Sequence, residues 1–475
     1  MPTASPNLSV PSHKELKMLS NSSLTDEYLA CIENAPESAQ DKKNARAHME
    51  QSTAIYHGVV VDSSFMPRLY NKETLDTFTY VSETSHRILT KVMREYLANP
   101  EYRKIFDFDQ RLVDLILLPR NYDALLPFAR VDLFLNEETG DMTFCEFNGD
   151  GSSGMNENRE ITASIKDSAA LAAFSKHHSI RTCNDDLFAG WVDEFLKIYD
   201  SYTHKVEKPH FAIVDFLENA ITEEFKIFSK LFAERGIQCS VYDVRDLRFD
   251  GENLVGINAF YGEENLPIDA IWRRSVTNDI IDNWEASQPL IEAVKAEKVA
   301  LIGSFAGHIV HDKQIFQVLF EPETQALLTD EENEFVKKTV PFTTFLDDAH
   351  VNLDEIKAEP AKWIIKPTDA YGSKDVYAGV DFTAEEWAQI IDTHANEAAG
   401  APFLVQRYCV PFQTKTLPLY GTDEDTNTEP QLYKNLSGLY LYNGRFTGVF
   451  SRLGPLPVIC KKTRGITAAT LWVDC

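Results

Sequence analysis

Two strand-like runs folded back on a short polar turn constrain this chain more than any other feature. The segment RVDLFLNEETGDMTFCEFNGDG begins at Arg130. Residues 130–135 and 142–148 alternate in polarity with period two around the turn-forming NEETGD, which predicts an antiparallel hairpin. With the loop centred on Thr139, Phe134 faces Phe144, Asp132 faces Glu146 and Arg130 faces Asn148. Alternation also puts Arg130, Asp132 and Phe134 on one face of the first strand, and Phe144, Glu146 and Asn148 on one face of the second. Like charges opposed across a strand pair are unfavourable, and a divalent cation between Asp132 and Glu146 would remove the conflict. Those two carboxylates with the Asn148 amide oxygen make a hard, all-oxygen donor set suited to Mg²⁺. Arg130 beside them could clamp a phosphate through paired hydrogen bonds. A solvent-facing hairpin whose charges neutralise one another has the same pattern. The GDGSSG that follows, Gly149 to Gly154, offers backbone amides to a ligand or is a plain turn; Asp150, Ser152 and Ser153 are its substrate-contacting candidates.

With 475 residues the chain is long enough for two or three substructures. Lys and Arg total 46 against 73 Asp and Glu, a formal net charge of −27. Such a field repels nucleic acid and anionic membrane surfaces and favours cationic substrates. The seven cysteines are scattered, without the paired short spacings of zinc or redox sites, as expected in a reducing cytosol. The first residues lack a cationic stretch leading into an apolar core, and no run is long and apolar enough to span a bilayer. A cytoplasmic protein is expected.

Residues 1–35 begin rich in Ser, Pro and Asn without periodicity and read as a poorly ordered arm. Residues 36–128 read as a helical region, with Leu89, Val92, Met93 and Tyr96 repeating at helical spacing. The hairpin and its loop occupy 129–207. From 208 to 310, FAIVD, CSVYD, IDAIW and KVALIG alternate with helical stretches, the rhythm of an open parallel α/β layer. No Gly-x-Gly-x-x-Gly turn or Walker-type Gly-Lys-Ser/Thr accompanies it. Residues 311–475 mix a helix, strands and Gly-rich turns, an α+β unit.

Two lysines follow the hairpin. Asp312 can cap a helix whose Ile315, Phe316 and Leu319 face the core, leaving Lys313 in a first turn where it can hold phosphate. Lys366 ends the apolar strand AKWIIK before Pro367, and Gly372, Ser373, Lys374 and Asp375 follow as a Gly-containing loop. Arg273 and Arg274 end the IDAIW strand, where open α/β sheets bind ligands, although an ion-pair role suits one of them equally. His308 and His311 have a metal-pair spacing, with no third ligand near in sequence.

Arg-x-Asp at 130–132 followed by Glu-x-Asn at 146–148 resembles the metal motif of the glutathionylspermidine synthase family, the circularly permuted branch of the ATP-grasp enzymes. The resemblance extends over roughly residues 50–475 as an ordered series of short motifs. Its lysines follow the metal ligands in the chain, as the permutation requires. It implies a permuted ATP-grasp fold with an open, pre-ATP-grasp-like α/β layer, Asp132, Glu146 and Asn148 on Mg²⁺, and Lys313 and Lys366 on ATP phosphates. FLVQRYCVPF resembles the strand entering the adenine hinge, with Gln406 and Tyr408 as contacts, and YLYNGRFTGVFSRLG resembles the last strand pair, with Arg452 on phosphate beside Arg130. Gly372 and Ser373 belong to a lid running from Tyr371 to Asp375, which departs from the family's Gly-Arg-Glu-Gly. The implied activity is amide formation between a small amino-acid or peptide-like carboxylate and an amine, through an acyl phosphate, without the amidase domain of bifunctional members. A nucleotide-binding protein without turnover and a phosphotransferase are the alternatives, and a homo-oligomer is compatible with either.

Overall fold

The structure, a computed structural model, describes residues 20–56, 58–218, 220–370, 372–395, 402–420 and 429–475. Its spine is a sheet of eight strands. At the centre, Gln431–Tyr442 and Arg445–Gly454 form a long antiparallel pair. They are joined through Asn443 and Gly444, both at positive φ (46° and 87°), the two-residue turn that suits the strands' twist. The hairpin strand Phe128–Leu135 pairs antiparallel with Gln431–Tyr442 and its partner Met142–Asn148 forms the sheet edge. Ala129, Val131, Leu133 and Leu135 point into one core while Arg130 and Asp132 take the other face, as alternation requires.

The expected register holds at the site end and slips beyond it. Arg130 pairs with Asn148 and Asp132 with Glu146, but Leu133 then pairs with Phe144 and Phe134 with Thr143. Cys145 is therefore an extra residue, a β-bulge. Its cause is packing. Phe144 and Phe147 enter the same core with ring centroids 4.8 Å apart, and strict alternation cannot put residues three apart on one face. Phe144 accordingly does not share the face of Glu146 and Asn148.

The α/β layer forms as its rhythm predicts. Ala300–Ile302, Ala270–Arg273, His210–Asp215 and Gln238–Asp243 lie side by side in that order, all parallel. A separate antiparallel sheet orders Thr343–Phe345, Phe403–Arg407, Trp363–Pro367 and Tyr377–Ala378. The helix Ala384–His394 covers it with buried Trp387 and Ile391 and begins in a Thr383/Glu386 capping box.

The N-terminal third differs from expectation. Residues 1–19 lie outside the described residues, but Asn21–Asn34 is a helix capped by the Ser20 hydroxyl, burying Leu24, Tyr28, Leu29 and Ile32. The helical region holds the long helix Lys72–Ala98, with Leu89, Val92, Met93 and Tyr96 all buried, and four short strands as well. One of them, Arg68–Tyr70, pairs in parallel with Thr470–Val473 near the other end of the chain. Among the described residues no helix is long and apolar enough to cross a membrane.

One aromatic contact seats the lysine-bearing segments against the hairpin. Phe316 stacks on Phe147 at 4.8 Å, and the Lys366 ammonium lies 5.4 Å from the centre of the Phe316 ring. Truncating Phe316→Ala should cost about 3–5 kcal/mol, measured by urea denaturation. A loss under about 1 kcal/mol would mean this contact does not hold the units together.

Candidate active site

The polar face of the hairpin is built around Asp132, which is 1% exposed. Its Oδ1 accepts from Arg130 Nε at 2.7 Å, and its Oδ2 from Arg130 Nη2 and Arg452 Nη2, both at 3.1 Å. Arg130 also donates to the Ser153 carbonyl at 2.8 Å. Burial works against the Arg130 charge, but Asp132, Tyr440 and Glu146 together hold the guanidinium's pKa above its ordinary value. Gly438, opposite Asp132 in the sheet, makes this packing possible. A Cβ there would lie 2.8 Å from both Arg130 Cδ and Asp132 Oδ1.

Across the pair, Glu146 lies 3.1 Å from Lys313 Nζ. Lys313 also donates to the Ala370 carbonyl at 2.8 Å, and Lys366 donates to the Cys145 carbonyl at 3.1 Å. Both lysines are buried, at 5% and 4% exposure. Burial opposes ionisation of Glu146, yet Lys313, His311 and Lys366 together bring its carboxyl down to about 2. The opposed carboxylates are thus neutralised by side chains, Asp132 by two arginines and Glu146 by a lysine, so their opposition alone does not demand a metal ion. Asn148, 8% exposed, keeps its Nδ2 without a hydrogen-bond partner among the described residues.

Lys366 carries the other unusual charge. Among the described residues no carboxylate lies within 4.0 Å of its ammonium, and burial lowers its pKa. Its place follows from its strand, since Trp363–Pro367 runs antiparallel to Phe403–Arg407 and delivers Lys366 to the bulge at Cys145. Lys313 arrives differently from expectation. The helix after Asp312 is a single turn, Ile315–Val318, too short for a helix dipole to act on phosphate. Asp312 accepts from the Gln314 amide at 2.8 Å, and Lys313 is fixed by its amide bonding the Thr368 carbonyl at 2.8 Å.

The remaining predicted residues surround this centre. In the loop, Asp150 pairs with Arg273 at 2.7 Å and accepts from the Thr277 hydroxyl at 2.6 Å, while Ser152 Oγ has no partner among the described residues. Ser153 contributes its carbonyl, bonded by Arg130 and by the Tyr440 hydroxyl. Arg274 pairs with Glu224 at 3.4 Å, so both arginines after the IDAIW strand occupy buried ion pairs. Gln406, 4% exposed, donates to Thr343 Oγ1 at 2.7 Å, and Tyr408 donates its amide to the Lys362 carbonyl at 2.8 Å. Burial pushes the Tyr408 hydroxyl up to about 12. Gly372, Ser373 and Asp375 take left-handed backbone conformations; Tyr371 lies outside the described residues.

The sequence pattern did not single out Gly438, Asp369 or Glu157. Burial and the nearby Glu224 charge raise the Glu157 carboxyl to about 7, with Arg452 and Arg130 acting against them. Only Gly438 left a readable sign, a glycine inside a strand rich in leucine and tyrosine.

No protein-family model and no characterised sequence matches this chain. Among solved structures it is similar to a glutathione synthetase-like effector, GSS30 from Globodera pallida, in its apo form. The match has a TM-score of 0.59 and 11% identity, covering 92% of this chain and 98% of the effector. A Methylobacillus flagellatus protein described as a gamma-glutamylcysteine synthetase matches with a TM-score of 0.37 and 10% identity, over 80% and 84% of the two chains. The D-cycloserine synthetase DcsG gives 0.26 and 19%, over 42% of this chain and 59% of its own. The mixed α/β chain therefore shares the fold of the glutathione synthetase-like effector.

Two outcomes follow from this geometry. Gly438→Ala should destabilise the protein by about 1–3 kcal/mol, because strand backbone and a buried ion pair cannot both yield; an unchanged urea midpoint would contradict the packing. Glu146 has a folded pKa below the ~4.3 of an unfolded glutamate, so its stabilisation is present above that value and lost as pH falls toward the folded pKa. The stability difference between wild type and Glu146→Gln should therefore shrink steadily below about pH 5. A difference that grows on acidification would reverse the assignment.

Proposed function

We propose that this protein is an ATP- and Mg²⁺-dependent carboxylate–amine ligase of the circularly permuted ATP-grasp type. The observation carrying the proposal is the convergence of two buried lysines on the acidic hairpin, one of them, Lys366, without a carboxylate partner. A buried ammonium in that state is poised for an anion, and the triphosphate of ATP supplies one. The fold shared with a glutathione synthetase-like protein agrees with this reading.

In this account Lys366 and Lys313 bind phosphate oxygens, and Lys313 leaves Glu146 to do so. Glu146 and Asn148 then have free oxygens for Mg²⁺, which fits their hard donor chemistry. Asp132 fits less directly, since it joins them only by giving up a guanidinium contact. Arg452, whose side chain is 26% exposed against 10% for Arg130, is the looser of the two. The ion would neutralise charge on the phosphates, and Arg130 would stay to fix the loop through Ser153. Gln406 and Tyr408 flank the adenine, Gly372 to Asp375 close over the phosphates, and the loop with Asp150, Ser152 and Ser153 borders the substrate carboxylate. A carboxylate oxygen takes the γ-phosphoryl group of ATP and ADP leaves; a primary amine then attacks the acyl carbon, losing a proton and displacing phosphate as the amide forms. Arg273 and Arg274 act by holding Asp150 and Glu224 rather than by meeting the substrate.

A nucleotide-binding protein without turnover is the second reading, and the observation favouring it is that Asp132 and Glu146 are already matched by protein cations. Incubation with ATP, Mg²⁺ and pooled amino acids, peptides and amines separates the two. Ligation gives amine-dependent phosphate release with a new amide mass, whereas the second reading gives nucleotide binding alone. Lys366→Met should weaken ATP binding by about 10- to 100-fold, the loss of one charge-assisted hydrogen bond. Equal affinity by calorimetry would remove Lys366 from the site.

A further inference from the structure

We propose that His308, Asp312 and Asp369 form a binding site for a first-row transition-metal dication of the Zn²⁺ type, separate from any Mg²⁺ carried by a nucleotide. The three come from two parts of the chain. His308 begins the helical turn His308–His311 and Asp312 follows it, while Asp369 lies three residues beyond Lys366. One ligand atom from each lies within 4.8 Å of the others.

The three groups stand close together without hydrogen bonding to one another, and the His308–Asp369 pair has a spacing that fits coordination. His308 Nε2 is 3.5 Å from Asp369 Oδ2 and 3.9 Å from Asp312 Oδ2. Neither contact makes a hydrogen bond: both His308 ring nitrogens and Asp369 Oδ2 are buried without a partner among the described residues. Two ligands each ~2.0–2.1 Å from a tetrahedral Zn²⁺ lie about 3.4 Å apart, close to the shorter of these separations. His308 is 1% exposed and its ring is held edge-on by Phe108 at 5.5 Å. A buried imidazole with both nitrogens unmatched costs free energy that a metal–nitrogen bond would offset.

The donor set selects the ion. One imidazole and two carboxylates suit Zn²⁺, Co²⁺ or Mn²⁺, whereas Mg²⁺ prefers oxygen ligands and retained water. Three protein ligands leave a tetrahedral ion one open position. Because Asp369 follows Lys366 and His308–Asp312 precede Lys313, a bound ion would also tie the two lysine-bearing segments together.

The test uses the full chain, stripped with a chelator and titrated with Co²⁺ and then Zn²⁺ without nucleotide, so its outcome does not depend on ATP binding. The expected result is one equivalent of Co²⁺ with a visible d–d band, displaced by Zn²⁺. His308→Gln and Asp369→Asn should each lower the affinity at least about tenfold, while Glu146→Gln keeps the equivalent. Should His308→Gln fail to fold, Asp369→Asn carries the test, being isosteric at a carboxylate 11% exposed. The proposal is overturned by the absence of stoichiometric Co²⁺ binding, as for a cavity that holds only water. It is equally overturned by affinity unchanged in both variants, by loss in Glu146→Gln instead, or by an intense thiolate charge-transfer band marking a cysteine site.

Discussion

Asp132 sits between two guanidiniums in the interior of the main sheet, and most of the site's geometry hangs on that arrangement. A carboxylate 1% exposed is tolerable only when its charge is matched and its lone pairs are filled. Arg130 does both from two residues away on the same strand, and Arg452 completes the set from Arg445–Gly454. The sheet accommodates this because the intervening strand carries Gly438 where any side chain would collide. Arg130 in turn binds the Ser153 carbonyl, so the position of the loop is linked to the same pair. Removing one partner of a buried pair of this kind typically costs about 3–5 kcal/mol, because the other charge is left unmatched.

The second strand of the hairpin has a different status. It is the sheet edge, and Glu146 on it is bound by a lysine that belongs to another part of the chain. One strand is thus locked within the sheet while the other faces the segments bearing Lys313 and Lys366. Lys313 is held by the Ala370 carbonyl as well as by Glu146, and Lys366 by a carbonyl and an aromatic face. These are single contacts to a carboxylate, to carbonyls and to a ring face, whereas Arg130 meets Asp132 through two hydrogen bonds. The division matches a binding surface laid over a rigid base.

How much of this could be read from the sequence follows from the range of each interaction. Period-two alternation located the hairpin and set Asp132 opposite Glu146, because those are local constraints. The slip at Cys145 was not legible, since it arises from a core that admits both Phe144 and Phe147 and receives Phe316 from far along the chain. The parallel strands from His210 to Ile302 were visible as apolar runs between helices. The strand Arg68–Tyr70 was not, because what makes it a strand is Thr470–Val473, about four hundred residues away. Opposed carboxylates correctly signalled a need for positive charge, but nothing local indicated that Arg452 and Lys313 supply it. The helix Asn21–Asn34 was hidden by the Ser- and Pro-rich residues before it, although its buried positions have helical spacing.

The central claim is that Lys313 and Lys366 form a phosphate site that opens by exchange of the Lys313–Glu146 ion pair. A crystal structure with Mg²⁺ and a non-hydrolysable ATP analogue tests it most directly. The account predicts both ammonium groups on phosphate oxygens and Glu146 turned from Lys313 to the metal, with Arg130 still on Asp132. A nucleotide bound elsewhere, or one bound here with the Lys313–Glu146 pair intact, would contradict it.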